Sequence, residues 1–340
     1  MTTFIAGSIG VDFDLLDLGP LATGSPVGTT PTSGGLNVGS VSTSLFGSGF
    51  VFGALGPPTA GTLNRIVVNA DGLQVYDITD LSIPAATFRG WVVAGDNASA
   101  KAGIFGGSDS LAGSPLDDRL RGFDGADSIA GGAGADFLDG GSGNDSITAG
   151  AGNDTIVDPD GTNYLRGDEG DDFCIGGVGF DDINGNMGND TARGGDFDDW
   201  VVGGKDNDSL SGEAGGDLVY GNLGDDTCDG GDGNDVLRGG QDNDVVRGGA
   251  GADYVSGDRG DDTVSGGLGA DLFHSFGDAG IDRVLDFSAA EGDRVLLDPG
   301  TTFTTAQAGA DTVASLTGGA QVVLVGVQLS TLPAGWIFVS

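Results

Sequence analysis

Positive charge is scarce in this sequence: 13 Lys and Arg stand against 51 Asp and Glu, a formal net charge of −38. Phosphate backbones and anionic headgroups are held by clustered cations, so neither nucleic acid nor an anionic membrane is expected as a partner. The same excess of carboxylate repels itself, and a compact state needs counter-cations. Histidine is nearly absent, with His274 alone, so the two-histidine zinc site of HExxH proteases cannot be built. Cysteine occurs only at Cys174 and Cys228, too few for a disulfide framework. No run approaches the roughly 18 apolar residues of a membrane span, so no membrane insertion is expected. The opening stretch MTTFIAGSIGVDFDLLDLG lacks the basic region of a secretory signal peptide and carries three Asp. Taken alone, it points to the cytoplasm.

Glycine and aspartate fill the space left by these absences. Glycine supplies 69 residues without a Gly-X-Y period, which excludes collagen. Three zones follow one another. Residues 1–103 are poor in charge, and runs such as SLFGSGFVFGAL, LNRIVVNADGLQVYDI and TFRGWVVAG read as strands between turns, a β-rich module. Residues 104–274 form a Gly/Asp array. Residues 275–340 are apolar and Thr-rich, a β-rich cap.

The array has a period of nine. Counted from Gly113 it runs through eighteen uninterrupted units to His274. Position one is Gly in sixteen units, the exceptions being Ala149 and Asp158, and position four is Gly in fourteen. Position six is Asp in seventeen, with Asn163 the exception, and position eight is apolar in all eighteen, from Leu120 to Phe273. A weaker unit with Asp109 and Leu111 in the matching places precedes them.

The first six positions read as a glycine-rich turn ending in a carboxylate, and the last three as a very short strand with one inward apolar residue. One unit buries almost nothing. Two units make a coil, and stacked coils bury a continuous file of position-eight side chains. About nine coils at a strand spacing of ~4.8 Å span on the order of 40 Å. Each turn then lies over the turn 18 residues away. Asp118, Asp136, Asp154, Asp172, Asp190, Asp208, Asp226, Asp244 and Asp262 form one column. Asp127, Asp145, Asp181, Asp199, Asp217, Asp235, Asp253 and Asp271 form the other, with Asn163 among them. Carboxylates at strand spacing repel one another unless a hard dication lies between them. Ca²⁺ suits Asp oxygens and turn carbonyls best, because it accepts six to eight oxygens in flexible geometry. Eighteen units allow at most about sixteen such ions, whose charge nearly cancels that of the chain.

GGAGADFLD (131–139), GGSGNDSIT (140–148), GGDGNDVLR (230–238) and GGAGADYVS (248–256) resemble the RTX, or haemolysin-type, calcium-binding nonapeptide, a pattern known for Ca²⁺-binding β-helices. The resemblance implies an all-β, right-handed parallel β-roll with Ca²⁺ in the turns. It also implies a Gram-negative bacterium, the type I secretion machinery, and export of an unfolded chain by a C-terminal signal to the cell surface or beyond. ADLFHSFGDAGIDRVLDFSAAEGDRVLL (270–297) resembles the segment that follows such repeats in exoproteins, and Trp336-Ile337-Phe338-Val339 resembles their export signal. Residues 46–63 resemble a β-module of alphaproteobacterial RTX proteins.

Departures read as local drift. Asn163 predicts one weakened pair of sites. Leu116, Phe197, Asp206 and Asp242 replace the position-four glycine and predict altered loop geometry with lower affinity. Cys174 and Cys228 both occupy position eight and read as small buried hydrophobes. His274 reads as filler, since no G-x-S-x-G elbow accompanies it. The N-terminal carboxylates Asp12, Asp14, Asp17, Asp71, Asp77, Asp80 and Asp96 read as turn residues, and Phe50, Phe52, Phe88 and Trp91 as core.

The expected function is a secreted, non-enzymatic calcium-binding structural protein that folds on Ca²⁺ outside the cell and self-assembles head to tail, as a surface layer, filament or biofilm matrix. Two rivals stand beside it. One is an adhesin or lectin; the other is a small secreted enzyme with its active site in residues 1–103 and the repeats as export module.

Overall fold

A computed structural model describes residues 106–340 in full and, upstream, the backbone of seven strands between Thr3 and Pro84. The side chains of the N-terminal carboxylates and aromatics named above lie outside the described residues. So do the boundary near residue 103 and much of the 46–63 module. Among the described residues no helix is long and apolar enough to cross a membrane. Chain contacts group the molecule into two units, Met1–Asp160 and Gly161–Ser340.

In the first unit an antiparallel meander links Ser25–Thr30, Ser33–Val38, Val41–Phe52, Pro58–Ala70 and Leu73–Thr79. The strand Thr3–Ala6 pairs antiparallel with Leu73–Thr79 and parallel with Ser110–Ala112. The roll therefore begins against its own N-terminal strand. From there Ser110–Ala112, Ser128–Ala133 and Ser146–Ala151 stack in parallel, with Ile129 opposite both Leu111 and Ile147. Arg119–Asp124, Phe137–Ser142 and Thr155–Val157 stack likewise, with Leu138 opposite Leu120 and Ile156.

The second unit holds two parallel series of the same kind. Trp200–Lys205, Leu218–Leu223, Val236–Gln241 and Tyr254–Arg259 stack on one side. Thr191–Asp196, Ser209–Ala214, Thr227–Asp232 and Val245–Ala250 stack on the other. Every partner is 18 residues away, two repeats, so the fold is the parallel β-roll that the period of nine predicts. It runs for about ten turns rather than nine, because Ser110–Ala112 adds strand before the eighteen repeats and Ile281–Val284 and Arg294–Leu297 after them.

Position eight forms the core. Leu120, Leu138, Ile147, Leu165, Ile183, Val201, Val219, Leu237 and Val246 have no exposed surface. Cys174 and Cys228 are buried thiols in the same file. The strands are longer than three residues. They run six, through positions seven to nine and on through one to three of the next repeat, as in Thr227–Asp232 and Val236–Gln241. Their burial alternates, and the second inward residue is the position-one glycine. That position is narrow. A Cβ on Gly230 would stand 2.5 Å from the Gly248 carbonyl oxygen and collide with the Asp235 carboxylate.

The downstream end is closed within the chain. Gln321–Leu324 pairs parallel with Ile281–Val284, and Ile337–Val339 with Arg294–Leu297. Asp311–Leu316 and then Phe303–Ala308 extend the first of these sheets antiparallel. Phe287 packs on Phe273 and edge-on against Trp336, each at 6.1 Å between ring centroids.

The interior file sets the stability of each coil. Leu237→Ala should lower the unfolding free energy at saturating calcium by about 2–5 kcal/mol. Ser209→Ala, on an outward surface, should stay within ~0.5 kcal/mol. Denaturant titration measures both, and equal losses would contradict this account of the core.

Candidate metal centre

The position-six aspartates meet the requirement for stacked turns in an economical way. The backbone N–H of each donates to Oδ1 of the aspartate one coil on: Asp118 to Asp136 and Asp127 to Asp145 at 2.7 Å. In the second unit Asp190 donates to Asp208 and Asp217 to Asp235 at 2.8 Å, and Asp253 to Asp271 at 3.0 Å. The backbone carbonyl of each in turn accepts the N–H of the position-seven residue one coil on, as Asp208 does from Thr227 at 2.9 Å. All seventeen predicted aspartates are buried, with no more than 4% of their surface exposed. The two columns read from the sequence are therefore present in each unit.

One oxygen per carboxylate is left over. Oδ2 of Asp127, Asp136, Asp181, Asp190, Asp199, Asp208, Asp217, Asp226, Asp235, Asp244, Asp253, Asp262 and Asp271 is buried without a hydrogen-bond partner. An unsatisfied buried carboxylate oxygen is costly, and its repetition along both columns calls for one common partner. In the repeats around Gly122, Gly221, Gly230 and Gly248 this oxygen lies beside the position-one Cα together with a backbone carbonyl oxygen of the next coil. The donor set is oxygen only, which selects a hard cation and fits Ca²⁺. Among the described residues no three His, Cys, Asp or Glu side chains gather at one point. Turn carbonyls must therefore supply most of the ligands.

Backbone conformation presents those carbonyls. Position two has positive φ in every repeat from Phe123 to Gly267 except at Pro159, and position four in every repeat from Gly125 to Gly269. Phe197 (83°), Asp206 (72°) and Asp242 (78°) keep the left-handed conformation of the glycine they replace. The sign of φ is kept, but these values lie below the 113–156° of the position-four glycines, so the loop geometry is altered in degree. Leu116 is the exception and does not adopt the left-handed conformation. Left-handed side chains are costly outside glycine, so the turn imposes this conformation on them.

Electrostatics register the missing partner. Burial, with the charges of neighbouring column members, pushes Asp199, Asp208 and Asp244 up to about 8 from an ordinary 3.8, against the lowering effect of their N–H bonds. Asp127, Asp136, Asp190 and Asp253 rise to about 7, and Asp181, Asp217 and Asp226 to about 6, with burial the largest cause throughout.

Two groups of participants escape the nonapeptide count. Asp282 and Asp293 continue the columns after longer turns, since Arg283 N–H donates to the Asp262 carbonyl and Arg294 N–H to that of Asp271. Their signal is the Asp-Arg-Val written twice, Asp282-Arg283-Val284 and Asp293-Arg294-Val295, which repeats positions six to eight. A second ladder runs at position five on one edge. Asn207, Asp225, Asn243 and Asp261 each donate their N–H to the side-chain oxygen of the preceding member, from Asn189 onward, at 2.8–3.1 Å. This ladder runs in the opposite direction to that at position six, so successive turns are clamped both ways.

Asn163 and its repeat depart together. The Asn163 N–H donates to Asp181 at 3.0 Å, and its side chain also bonds that carboxylate and lowers its pKa. In the first unit the buried Asp158 brings its carboxylate beside that of Asp145 over Gly140, where other coils place a backbone carbonyl. His274 lies between Ser256 and Asp298, at 3.3 and 3.1 Å, stacked on Tyr254. The Ser256 hydroxyl is fully buried and bonds Asp258 at 2.6 Å, so it is not an accessible nucleophile.

A parallel roll with oxygen-lined turns on a period of nine defines a calcium-binding repeat protein. The family model described as RTX calcium-binding nonapeptide repeat (4 copies) matches residues 105–138, 130–157, 148–183, 184–219, 193–228, 206–237 and 238–273. Residues 105–273 are thus RTX calcium-binding repeats, and through them the chain belongs to the RTX family. Among solved structures, the extracellular lipase LipA from Serratia marcescens is similar at 19% identity over 64% of this chain, with a TM-score of 0.23. The match spans 40% of that lipase's length. No curated protein matches the chain.

The raised carboxylates fix a pH dependence in calcium-free solution. A folded-state pKa above the unfolded value contributes stability that is complete below the unfolded value and lost as pH rises through the folded one. Between pH 8 and pH 5 the calcium-free chain should therefore gain β-structure as protons take the place of cations. Circular dichroism across that range checks this, and a signal that falls on acidification would contradict it.

Proposed function

We propose that the protein is a secreted, non-catalytic structural protein whose roll folds on Ca²⁺ outside the cell. The observation that carries this reading is the file of buried carboxylate oxygens, each paired on one side by a backbone N–H and open on the other. Without cations, burying these groups costs more than the single apolar file returns, so metal binding and folding are one process. The family's route, a type I channel of a Gram-negative bacterium traversed by the unfolded chain, agrees with this requirement. The chain stays unfolded where calcium is scarce and folds where it is plentiful. The seventeen predicted aspartates belong to this function as members of the two stacked columns, with the ions held along their length, and residues 1–103, 104–274 and 275–340 as module, roll and cap.

Self-assembly belongs to the same proposal, with its contacts narrowed. The strands Gln321–Leu324 and Ile337–Val339 are paired inside their own chain, and Thr3–Ala6 lies on the first coil. Head-to-tail addition therefore uses the edge strand Phe303–Ala308, most of whose side chains are exposed, rather than the strands that close the roll. Open strand edges pair with available strands, and a contact of this kind does not close on itself.

The folding claim is tested by circular dichroism of the whole chain at pH 7.5. Disorder in chelator and β-structure at millimolar Ca²⁺ are expected, whereas a roll already folded in excess chelator would sink the proposal. Light scattering during calcium addition tests assembly. Strictly monomeric behaviour over a wide concentration range would remove self-assembly and leave the folding claim standing.

A further inference from the structure

Three aspartates in the columns differ from the thirteen whose Oδ2 has no hydrogen-bond partner: their second carboxylate oxygen is occupied by a serine. In the first repeat the Ser114 N–H donates to Asp118 Oδ2 at 2.5 Å. After the last repeat the Ser275 hydroxyl donates to Asp282 Oδ2 at 2.9 Å, and the Ser288 N–H to Asp293 Oδ2 at 2.7 Å. All three carboxylates are buried, each with 4% of its surface exposed. Their burial matches that of the other column members, but their chemistry does not.

The turns around them differ too. The first repeat is the one in which neither position two nor position four has positive φ. There Ser114 closes a local turn instead, its hydroxyl accepting the Leu116 N–H at 3.2 Å. Ser114 and Leu116 thus lack the left-handed backbone of the later turns, although the Gly131 carbonyl oxygen still stands with Asp118 Oδ2 over Gly113. At the far end the turns are longer. The Asp271 N–H reaches Asp293 Oδ1 at 3.0 Å across 22 residues instead of 18. Asp293 thus has both oxygens hydrogen-bonded by the protein, Oδ1 by Asp271 and Oδ2 by Ser288. The Asp282 carboxylate meets that of Asp262, the column member before it, and the two share a hydrogen bond. Asp282 borders a void of about 10 Å³ lined largely by Val264, Phe273, Val284, Val295 and Val322. That is about one water in size, and beyond Gly257, His274, Ser275 and Asp282 its walls are apolar, well short of the six to eight oxygens a calcium ion takes.

We propose that Asp118, Asp282 and Asp293 are closed ends of the calcium columns and not calcium ligands, serine donors having replaced the cation at each. The inference rests on the calcium reading of the repeats and deepens it by setting where the bound ions stop. Asp118 satisfies the nonapeptide pattern but lies outside the array. Asp282 and Asp293 continue the backbone ladder but bind no ion. Closure of this kind gives the roll a fixed complement of ions, because a terminal carboxylate left open would recruit a loosely held one.

The test is the number of calcium ions bound by the full-length protein at saturation, measured by equilibrium dialysis, with circular dichroism confirming the folded state. Asp118→Asn, Asp282→Asn and Asp293→Asn should each keep the parental count, whereas Asp235→Asn and Asp190→Asn should lose at least one ion. Loss of an ion from Asp118→Asn or Asp293→Asn comparable to that from Asp235→Asn would overturn the proposal. Should Asp282→Asn fail to fold, the other two variants decide. A parent protein that binds no calcium would instead sink the calcium reading, so the two failures are distinguishable.

Discussion

Everything in this protein depends on how a carboxylate is shared between two coils. Each position-six aspartate gives its own N–H to the carboxylate one coil on and receives the N–H of the coil before. These bonds fix the register of the stack, because a slip of one residue would break every one of them and turn the apolar file outward. They use only half of each carboxylate. The remaining oxygens make the stack unstable alone and stable with a hard cation, so the interaction that builds the fold also makes it conditional. Glycine at position one of sixteen repeats follows from the same geometry, since a Cβ there would crowd the carboxylate and, in repeats such as that of Gly230, the carbonyl of the next coil.

The parts of this arrangement that repeat were legible in the sequence. The period of nine gave the apolar file, the 18-residue stacking and both aspartate columns, because each depends only on residue type at a fixed phase. What depends on conformation was less visible. Leu116, Phe197, Asp206 and Asp242 look alike as replacements of a glycine, yet three retain the left-handed backbone and one does not. The neighbours decide the matter, for Leu116 follows Ser114-Pro115 in a turn held by the serine hydroxyl. Asp282 and Asp293 were hidden because the turns before them are longer, which breaks the phase while leaving the Asp-x-apolar triplet intact. The ladder at position five was overlooked because Asn and Asp are common in any turn, and only stacking gives them a direction.

The repeat 158–166 shows how a lost ligand is absorbed locally. Its position six is Asn163, whose neutral side chain lowers the pKa of the Asp181 carboxylate, the direction in which a cation would act. Its position one is Asp158, whose carboxylate stands where other coils place a backbone carbonyl. The repeat has therefore kept its negative charge and moved it by five residues.

With the interior given to the apolar file and the turns to cations, only the outward positions remain free to vary, and in the second unit they diverge between the two sheets. On one sheet position seven reads Tyr164, Asp182, Trp200, Leu218, Val236, Tyr254 and Leu272, opposed in that order along the stack. On the other it reads Phe173, Thr191, Ser209, Thr227, Val245 and Thr263. Ordering the roll places no demand on either choice, because both sets satisfy the same ladder and cover the same core. One sheet is thus broadly apolar, with Trp200 and Phe180 meeting edge to face at 5.7 Å, and the other mainly hydroxylated. Asp182 on the first sheet and Phe173 on the second break the pattern at the start of the unit, so the difference is carried by the later coils, where both sheets still obey one set of interior and turn constraints.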